Sequence, residues 1–352
     1  MMKEFRKNRL AVLCLLVLLS LYGLALFADF FSPYAYDEED VEHLWSPPAK
    51  IHLIDREHNI FLKPFIYKDS FTIDEYYRRI YREDRTQAVP IRFFVRGFSY
   101  KLLGLFKSDI HLFGVADSSK IFILGADSKG RDLFTRILYG ARISLSIGLI
   151  GVLISYGIGL LLGGIAGYYG GRVDMILMRL VEMIMLVPGF YLMLALRSSF
   201  PPNLSSTQVY VLLIVILSFI GWASIARVIR GMALSLRENE FVYAAKSLGL
   251  RDLQIIVRHI IPHTFSYAIV TIVLSIPGYI LGEAALSMIG LGIQEPQASW
   301  GNLLSSAMGI VNIKLFPWIL TPGLFIIAAS MCFYVLGETL RDIIDPKRKI
   351  SL

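Results

Sequence analysis

Cysteine is scarce in this sequence of 352 residues, which contains only Cys14 and Cys332. Both fall within long apolar runs, where a thiol behaves as a small apolar side chain. A disulfide framework and a cysteine-based metal site are therefore excluded, and we expect two free, buried thiols.

The sequence also lacks a complete nucleotide-binding loop. The stretch 125–132 has two glycines at the spacing of a phosphate-binding loop, but Arg131 and Asp132 stand where that loop needs Lys and Ser or Thr. We therefore expect that the chain binds no ATP and has no cofactor of its own.

The sequence also lacks a recognisable group of metal ligands or catalytic residues. His259 and His263 are four residues apart, a spacing that can hold a metal ion on a helix. No Glu follows His259 and no third ligand is evident nearby, so we interpret both as interfacial histidines. No catalytic constellation is evident in the apolar runs, which argues against a membrane-embedded enzyme.

Long apolar runs dominate what remains. The sequence is 55% hydrophobic, and its mean hydropathy is +0.58. At ~1.5 Å per helical residue, a run of about 20 residues crosses a hydrocarbon core. The predicted fold is an all-α polytopic membrane protein with six transmembrane helices, at 10–28, 143–169, 175–196, 209–228, 265–286 and 318–336. The first run lacks a convincing small-x-small cleavage site, so we expect an uncleaved span.

The basic residues predict the orientation. Four of them precede the first span, which favours a cytoplasmic N-terminus. With six crossings, the loop around Arg172 and Arg179, the loop 230–258 and the C-terminal tail fall on the same side. This topology accounts for the net charge of +7, and nucleic-acid binding is not needed to explain it.

A segment of unusual length separates the first two spans. Residues 29–135 are rich in charged, aromatic and β-branched residues, which is not the composition of a disordered chain. We predict a small β-rich or mixed soluble unit outside the membrane, with a structural role. The predicted division is therefore 1–28 (N-terminus and first helix), 29–135 (insertion), 136–340 (permease core) and 341–352 (cytoplasmic tail).

Glycine recurs every fourth residue near the second span, at Gly159, Gly163, Gly167 and Gly171. Four-residue spacing places these glycines along one helix face, where small residues allow a neighbouring helix to approach closely. Simple helix flexibility is the alternative interpretation.

Three charged residues fall within predicted spans. Arg179 and Glu182 are three apart and close enough to pair, and Glu283 lies near the outer end of the fifth span, beyond a kink predicted at Pro277. Charge is costly at membrane depth, so these side chains should face protein or a water-filled cavity. Packing is favoured over substrate passage, and both remain open.

The loop between the fourth and fifth spans is itself patterned as a helix. Phe241, Ala244, Ala245 and Leu248 recur at i, i+3, i+4 and i+7. Gly249 stands where a helix end favours positive φ. A second helical run at 252–261 is predicted to stop at Pro262, giving a rigid cytoplasmic knob that starts at Glu240.

These residues resemble the coupling loop of ABC importer permeases, which reads Glu-Ala-Ala, three residues, Gly, then nine residues before a run ending in Leu-Pro. Tyr243-Ala244-Ala245 and Gly249 match its first half, and 259–262 match its second. Tyr243 replaces the family Glu, for which Glu240 lies slightly upstream, and Ile261 replaces the Leu. The resemblance implies a loop, about 230–263, that docks on an ATPase subunit.

Two outer segments resemble the dipeptide and oligopeptide branch of that family. Gly130-Arg131-Asp132, with Arg136 and the Tyr-Gly-Ala-Arg of 139–142, resembles its outer entrance, and Ala126 replaces a family Thr. Glu283 and the Ala-Leu-Ser that follows resemble the end of the family's fifth span. Ser299-Trp300-Gly301 resembles a re-entrant loop, in which a Trp suits the membrane interface. The tail, Arg341-Asp342 to Asp345-Pro346, matches as well. The resemblance covers 124–349 and leaves out 32–122.

The resemblance implies a type I ABC importer permease in a bacterial inner membrane, with both termini in the cytoplasm and the spans in contact with lipid. It further implies a second homologous permease subunit, two ABC ATPase subunits that bind the ATP, and an extracytoplasmic peptide-binding protein. Peptides are the expected substrate, and the chain is expected to be a transport component and not an enzyme.

Alternatives remain at this point. Importers of nickel, glutathione or antibiotic peptides look similar in these motifs. A secondary transporter is more remote, because it would show internal repeats and discontinuous helices around the membrane midplane, and no convincing repeat is visible.

Overall fold

The structure is a computed structural model that describes residues 2–54, 60–76, 78–102, 104–115 and 119–344. These residues form two compact units, one from 2–19, 145–286 and 327–344, the other mainly from 20–144 and 287–326. The second unit combines residues of the insertion with residues 287–326. Trp45 and Phe316, for example, stack with ring centroids 4.4 Å apart.

The chain begins with three helices: α1 (Met2–Lys7), α2 (Arg9–Leu26) and the short α3 (Ala28–Phe31). A four-stranded antiparallel sheet follows, in the order β1 (His52–Ile54), β2 (Ile60–Ile73), β3 (Arg79–Leu102) and β4 (Phe106–Val115). Ile66, Ile91, Phe113 and Ile121 form its buried core. The structure thus contains the β-rich segment that the composition predicts.

The remaining regular elements of the described chain are helices. The long helices are α4 (Leu133–Tyr169), α5 (Gly171–Leu186), α6 (Gly189–Ser198) and α7 (Ser206–Leu236). The loop helices α8 (Glu240–Ser247) and α9 (Asp252–Ile255) come next. They lead to α10 (Ile261–Met288), which runs through Pro277, and then to α11 (Trp300–Leu303), α12 (Ile310–Leu315) and α13 (Thr321–Ile344).

Five helical stretches among the described residues are long and apolar enough to cross a membrane: Arg9–Leu26, Leu133–Tyr169, Ser206–Leu236, Asp252–Met288 and Pro317–Ile344. The bent pair α5 and α6 brings the number to six if it counts as one span. This agrees with the predicted polytopic helical fold.

The third predicted span is wrong in one respect, because 175–196 is not one helix. Helices α5 and α6 meet at an angle of 89°. Val187 adopts an extended conformation, with φ −87° and ψ 126°, immediately before Pro188. The proline ring disfavours helical geometry in the residue that precedes it, so the break follows from the local sequence.

The glycine repeat brings α4 and α7 into direct contact. A Cβ atom added to Gly163 would lie 2.5 Å from the backbone oxygen of Ala226, and one added to Gly167 would lie 2.5 Å from that of Arg230. Gly159 meets Ile225 in the same way. The predicted close approach is confirmed for these three glycines, since a side chain would force the helices apart.

Gly171 is not part of this contact, contrary to the expectation. It follows the end of α4 and has a φ of +53°, and a Cβ added there would meet nothing within 4 Å. With Gly170, whose φ is +64°, it forms the turn into α5. Both glycines are needed there for the left-handed backbone that reverses the chain.

The N-terminal helices are attached to α13 within the first unit. The side-chain amide of Asn8 donates a hydrogen bond to the Thr339 hydroxyl at 3.1 Å. Cys14 on α2 and Cys332 on α13 are both free and buried, which confirms the expectation of two buried thiols. The predicted Asp345-Pro346 motif and the basic tail after it lie outside the described residues.

Candidate coupling site and outer polar network

Helix α8 ends in a fixed left-handed turn. The Gly249 N–H donates to the Lys246 carbonyl at 2.9 Å and the Leu250 N–H to the Ala245 carbonyl at 3.2 Å. These two hydrogen bonds are those of a Schellman motif, which requires a positive φ at the residue that follows the helix C-cap. Gly249 has a φ of +77°, as predicted.

The inner face of α8 is part of the chain's own core. Val242 and Ala245 are buried, and they pack in a cluster with residues of the neighbouring helices: Tyr168, Ala233, Ile255, Ile256, Ile260 and Ile261. Burial of these apolar side chains holds the knob in one orientation.

The predicted apolar face is therefore wrong in part. Ala244 is exposed, and Leu248 is 80% exposed. The prediction placed Ala244 and Ala245 on one apolar face of the docking loop, yet successive helical residues differ by about 100° in direction. Alanine fits either side of a helix, so the sequence does not decide which of the two points inward. Only packing does.

The outer face of α8 carries Glu240, Tyr243, Ala244 and Leu248. Glu240 lies in the first turn, where the helix dipole favours an acidic side chain. The Tyr243 hydroxyl donates to the Glu238 carboxylate at 3.1 Å, and this hydrogen bond raises the pKa of Tyr243. Small, aromatic and aliphatic groups thus form an uncovered surface on a firmly attached helix.

Pro262 does not end the second helix of the knob, and the prediction is corrected here. After α9, residues Ile256–Ile260 form a turn of π-helix, in which the Ile261 N–H donates to the Ile256 carbonyl. Helix α10 then continues through Pro262. Proline has no N–H and collides with the carbonyl four residues earlier, and the wider π turn relieves both problems.

Two side-chain contacts that the sequence did not reveal tie the knob to the spans. The Tyr168 hydroxyl, at the end of α4, donates to the Asp252 carboxylate at 2.7 Å. The Phe241 and His263 rings stack 4.6 Å apart with a 9° angle between their planes. The signal available in the sequence was a tyrosine at the end of the second predicted span together with an acidic residue, Asp252, two places after Gly249-Leu250.

His263 therefore has a packing role. Its Nδ1 lies 2.5 Å from the backbone oxygen of His259. No group of three potential metal ligands occurs among the residues that the structure describes.

An ionic network holds the outer segments together in the second unit. The Arg131 guanidinium donates to both carboxylate oxygens of Glu295, at 3.0 and 2.5 Å, and to Asp127 at 2.8 Å. Lys129 bridges Glu295 and Glu39 at 3.1 and 2.8 Å. The Arg131 hydrogen bonds are the main reason that the pKa of Glu295 falls to about 2.

The Ser299-Trp300-Gly301 motif forms the second contact of this unit. The Trp300 side chain is fully buried, and its Nε1 donates to the Ile137 carbonyl at 3.1 Å. Ser299 caps α11 by accepting from the Asn302 N–H at 3.2 Å. Trp300 is thus a core residue and not the interfacial anchor that was expected.

Gly140 explains why the two outer motifs occur together. A Cβ atom added to it would lie 3.1 Å from the Ser299 carbonyl carbon and 3.2 Å from the Trp300 backbone nitrogen. Gly140 in the first motif therefore packs directly against the backbone of Ser299 and Trp300 in the second motif.

The predicted intramembrane charges fall into two groups. Arg179 donates to Glu182 at 2.9 Å, which confirms the expected pair. Both of these side chains are accessible, with 77% and 41% of their surfaces exposed. Glu283 on α10 is fully buried. Its burial favours the packing interpretation for this residue.

Comparison with known families settles the class. A family model described as "Binding-protein-dependent transport system inner membrane component" matches residues 159–350, more than half of the chain. The chain belongs to this family. A second model, described as "N-terminal TM domain of oligopeptide transport permease C", matches residues 1–48.

Several curated proteins are similar over much of their length. The oligopeptide transport system permease protein OppC of Haemophilus influenzae is 41% identical over 224 residues, which cover 63% of this chain and 70% of that protein. The dipeptide transport system permease protein DppC of Bacillus subtilis is 40% identical over 225 residues, covering 63% and 68%. The Bacillus subtilis OppC is 28% identical over 347 residues, covering 98% and 88%.

These matches confirm a multi-pass permease of the inner membrane, which is a transport component and not an enzyme. The family description itself includes a binding protein as a partner component. One expectation is corrected: the resemblance does not begin at 124, because the N-terminal 48 residues also match.

Proposed function

We propose that this chain is one of two permease subunits of an ABC importer for dipeptides or oligopeptides. The family membership supports the importer, and the names of the relatives, oligopeptide and dipeptide permeases, support the substrate. Two separate ATPase subunits bind the ATP, and an extracytoplasmic binding protein delivers the peptide.

One observation carries the coupling role of this chain. Helix α8 exposes Tyr243, Ala244 and Leu248, while Val242 and Ala245 on its other side are built into the core. A surface that is apolar, exposed and rigidly held is suited to a protein partner. We assign this face to an ATPase subunit.

The attachments of α8 explain how a movement would be transmitted. The hydrogen bond from Tyr168 to Asp252 and the shared apolar cluster connect the knob to α4, α7 and α10. A displacement of α8 by an ATPase would therefore move several spans together. Alternating access requires such a rigid connection, because packed helices shift as units.

Reconstitution of the four membrane components with the binding protein tests the proposal. Uptake of labelled dipeptides and oligopeptides into proteoliposomes should require both ATP and the binding protein. Nickel and glutathione, offered in the same assay, should not be taken up. Nickel or glutathione uptake without peptide uptake would overturn the peptide assignment and leave the importer class standing.

A further inference from the structure

Helix α5 is barely covered by the rest of the chain. Among its described side chains, only Val181 is buried, and it packs with Trp222, Ala223 and Ala226 of α7. The opposite side of α5 is open along its whole length. Something outside this part of the chain must therefore cover or solvate it.

Helix α5 is poorly suited to an environment of lipid alone. Four of its sixteen residues are charged: Arg172, Asp174, Arg179 and Glu182. The helix then breaks at Val187 and Pro188, where backbone polar groups lose their helical partners. Charges and irregular backbone at membrane depth are tolerated where they meet protein or a water-filled cavity.

A cavity of about 390 Å³ lies between α5 and α7, beside the contact that Val181 makes with α7. Its charged lining is nearly balanced. Arg230 pairs with Asp174, and Arg179 pairs with Glu182 at 2.9 Å. Arg227 is exposed to the cavity, and no hydrogen bond or ion pair to it exists within the described residues. One positive charge is therefore left without a counter-charge.

The remaining lining is methionine. Met175 and Met178 face the cavity, and Met183 and Met185 continue the exposed surface toward the break. A thioether on an unbranched chain adapts to neighbours of different shape, which is why methionine is frequent where many partners must be accepted. The cavity thus combines one unpaired cation with adaptable apolar contacts.

We propose that this cavity is a substrate site on the translocation path, where Arg227 binds the C-terminal carboxylate of the peptide. Met175 and Met178 contact the adjacent side chain, whatever its size. Guanidinium and carboxylate form paired, charge-assisted hydrogen bonds, which are stronger than hydrogen bonds between neutral groups. The inference rests on the proposed peptide import.

Import of a peptide acid and of its C-terminal amide tests the role of Arg227. In R227Q, import of the free acid should fall about tenfold, while import of the amide should stay within about twofold of the wild type. R172Q is the matched control, because Arg172 is an exposed arginine on α5 that does not line the cavity. It should change neither rate. R227K should retain part of the preference for the acid, since it keeps the charge.

The ratio of acid to amide import is the decisive quantity, because selection by the binding protein is the same in every variant. An unchanged ratio in an assembled R227Q complex would overturn the proposal. Absence of any peptide import by the wild type would instead overturn the proposed function. The two failures are therefore distinguishable.

A cysteine at Met175 provides a test that does not need import. The native cysteines are buried, so background labelling is low. In M175C, a charged, water-soluble thiol reagent should react, and peptide with the complete complex should slow the reaction severalfold. M331C, at a residue that is 63% exposed in the uncharged stretch 321–337 of α13, should not react. Failure of M175C to react would show that lipid or the second permease fills the cavity, and would overturn the proposal.

Discussion

Tyr168 and Asp252 form a polar connection between helix α4 and the loop that we propose to dock on the ATPase. Tyr168 is almost completely buried at the end of α4, and its hydroxyl donates to the carboxylate in the first turn of α9 at 2.7 Å. The bond sits beside the apolar cluster that fixes α8. Loop and span are therefore positioned by the same small group of residues.

Removal of that hydroxyl should loosen the connection. Y168F should lower the stability of the loop's attachment by about 2 kcal/mol, because a hydrogen bond to a charged acceptor is lost. ATP hydrolysis without peptide should rise relative to import, and the ratio of ATP hydrolysed to peptide imported measures this. D252N, which keeps an oxygen acceptor, should have a smaller effect. Equal effects of the two variants would contradict this explanation.

Two adjacent alanines of α8 should respond differently to the same substitution. A244D places a charge on the exposed face and should leave the permease stable but weaken co-purification of the ATPase subunits at least tenfold. A245D buries an unpaired carboxylate in the cluster, so it should destabilise the permease by several kcal/mol. Thermal unfolding of the permease and ATPase retention, measured side by side, separate the two. Normal ATPase retention in A244D would show that this face is not the docking surface.

The glycine seam between α4 and α7 should not accept a larger side chain. G163L forces a branched group against the Ala226 backbone, so the folded complex should be recovered at a small fraction of the wild-type yield. G157L lies on the same helix, at a glycine where a Cβ atom would meet nothing within 4 Å, and it should be recovered normally. Detergent extraction followed by size-exclusion chromatography gives both yields. A normal yield of G163L would contradict the observed contact.

The outer network should make stability depend on acidity. Because the folded-state pKa of Glu295 is lowered to about 2, the carboxylate stabilises the fold above its ordinary pKa of 4.5. That contribution is lost as the pH falls from about 4.5 toward 2. Glu295 is partly exposed, so solvent screening limits the effect to about 1 kcal/mol. E295Q should lack this component, and the difference between the two melting curves across this pH window measures it. Parallel curves would contradict the prediction.

The orientation of the chain is testable with single cysteines at exposed positions. S70C and S305C should react with an impermeant reagent in spheroplasts, and S247C should not. Ser299 lies in the outer motif but is buried, so a cysteine there would not be labelled from either side of the membrane. Labelling of S247C from outside would reverse the orientation and remove the ATPase from reach of α8.

The sequence predicted most spans and the first helix and glycine turn of the loop, because hydropathy and motif spacing are local properties; it did not predict the π turn before Pro262. Apolar runs of about 20 residues give membrane helices whatever surrounds them, and the Gly249 turn follows from its position after α8. The third span was the exception, and its break was visible in the sequence at Pro188. The β-rich insertion was predicted by composition, without its strands.

The sequence by itself determined the class of the protein, the number of apolar segments and the positions of the motifs. Tertiary structure alone decided which side of each helix is buried: Ala245 and not Ala244, Trp300 in a core and not at an interface. It alone paired Arg131 with Glu295 and left Arg227 without an ion-pair partner among the residues that the structure describes. The physical reason is that burial and pairing depend on residues distant in the chain, and a single sequence does not specify which of them meet.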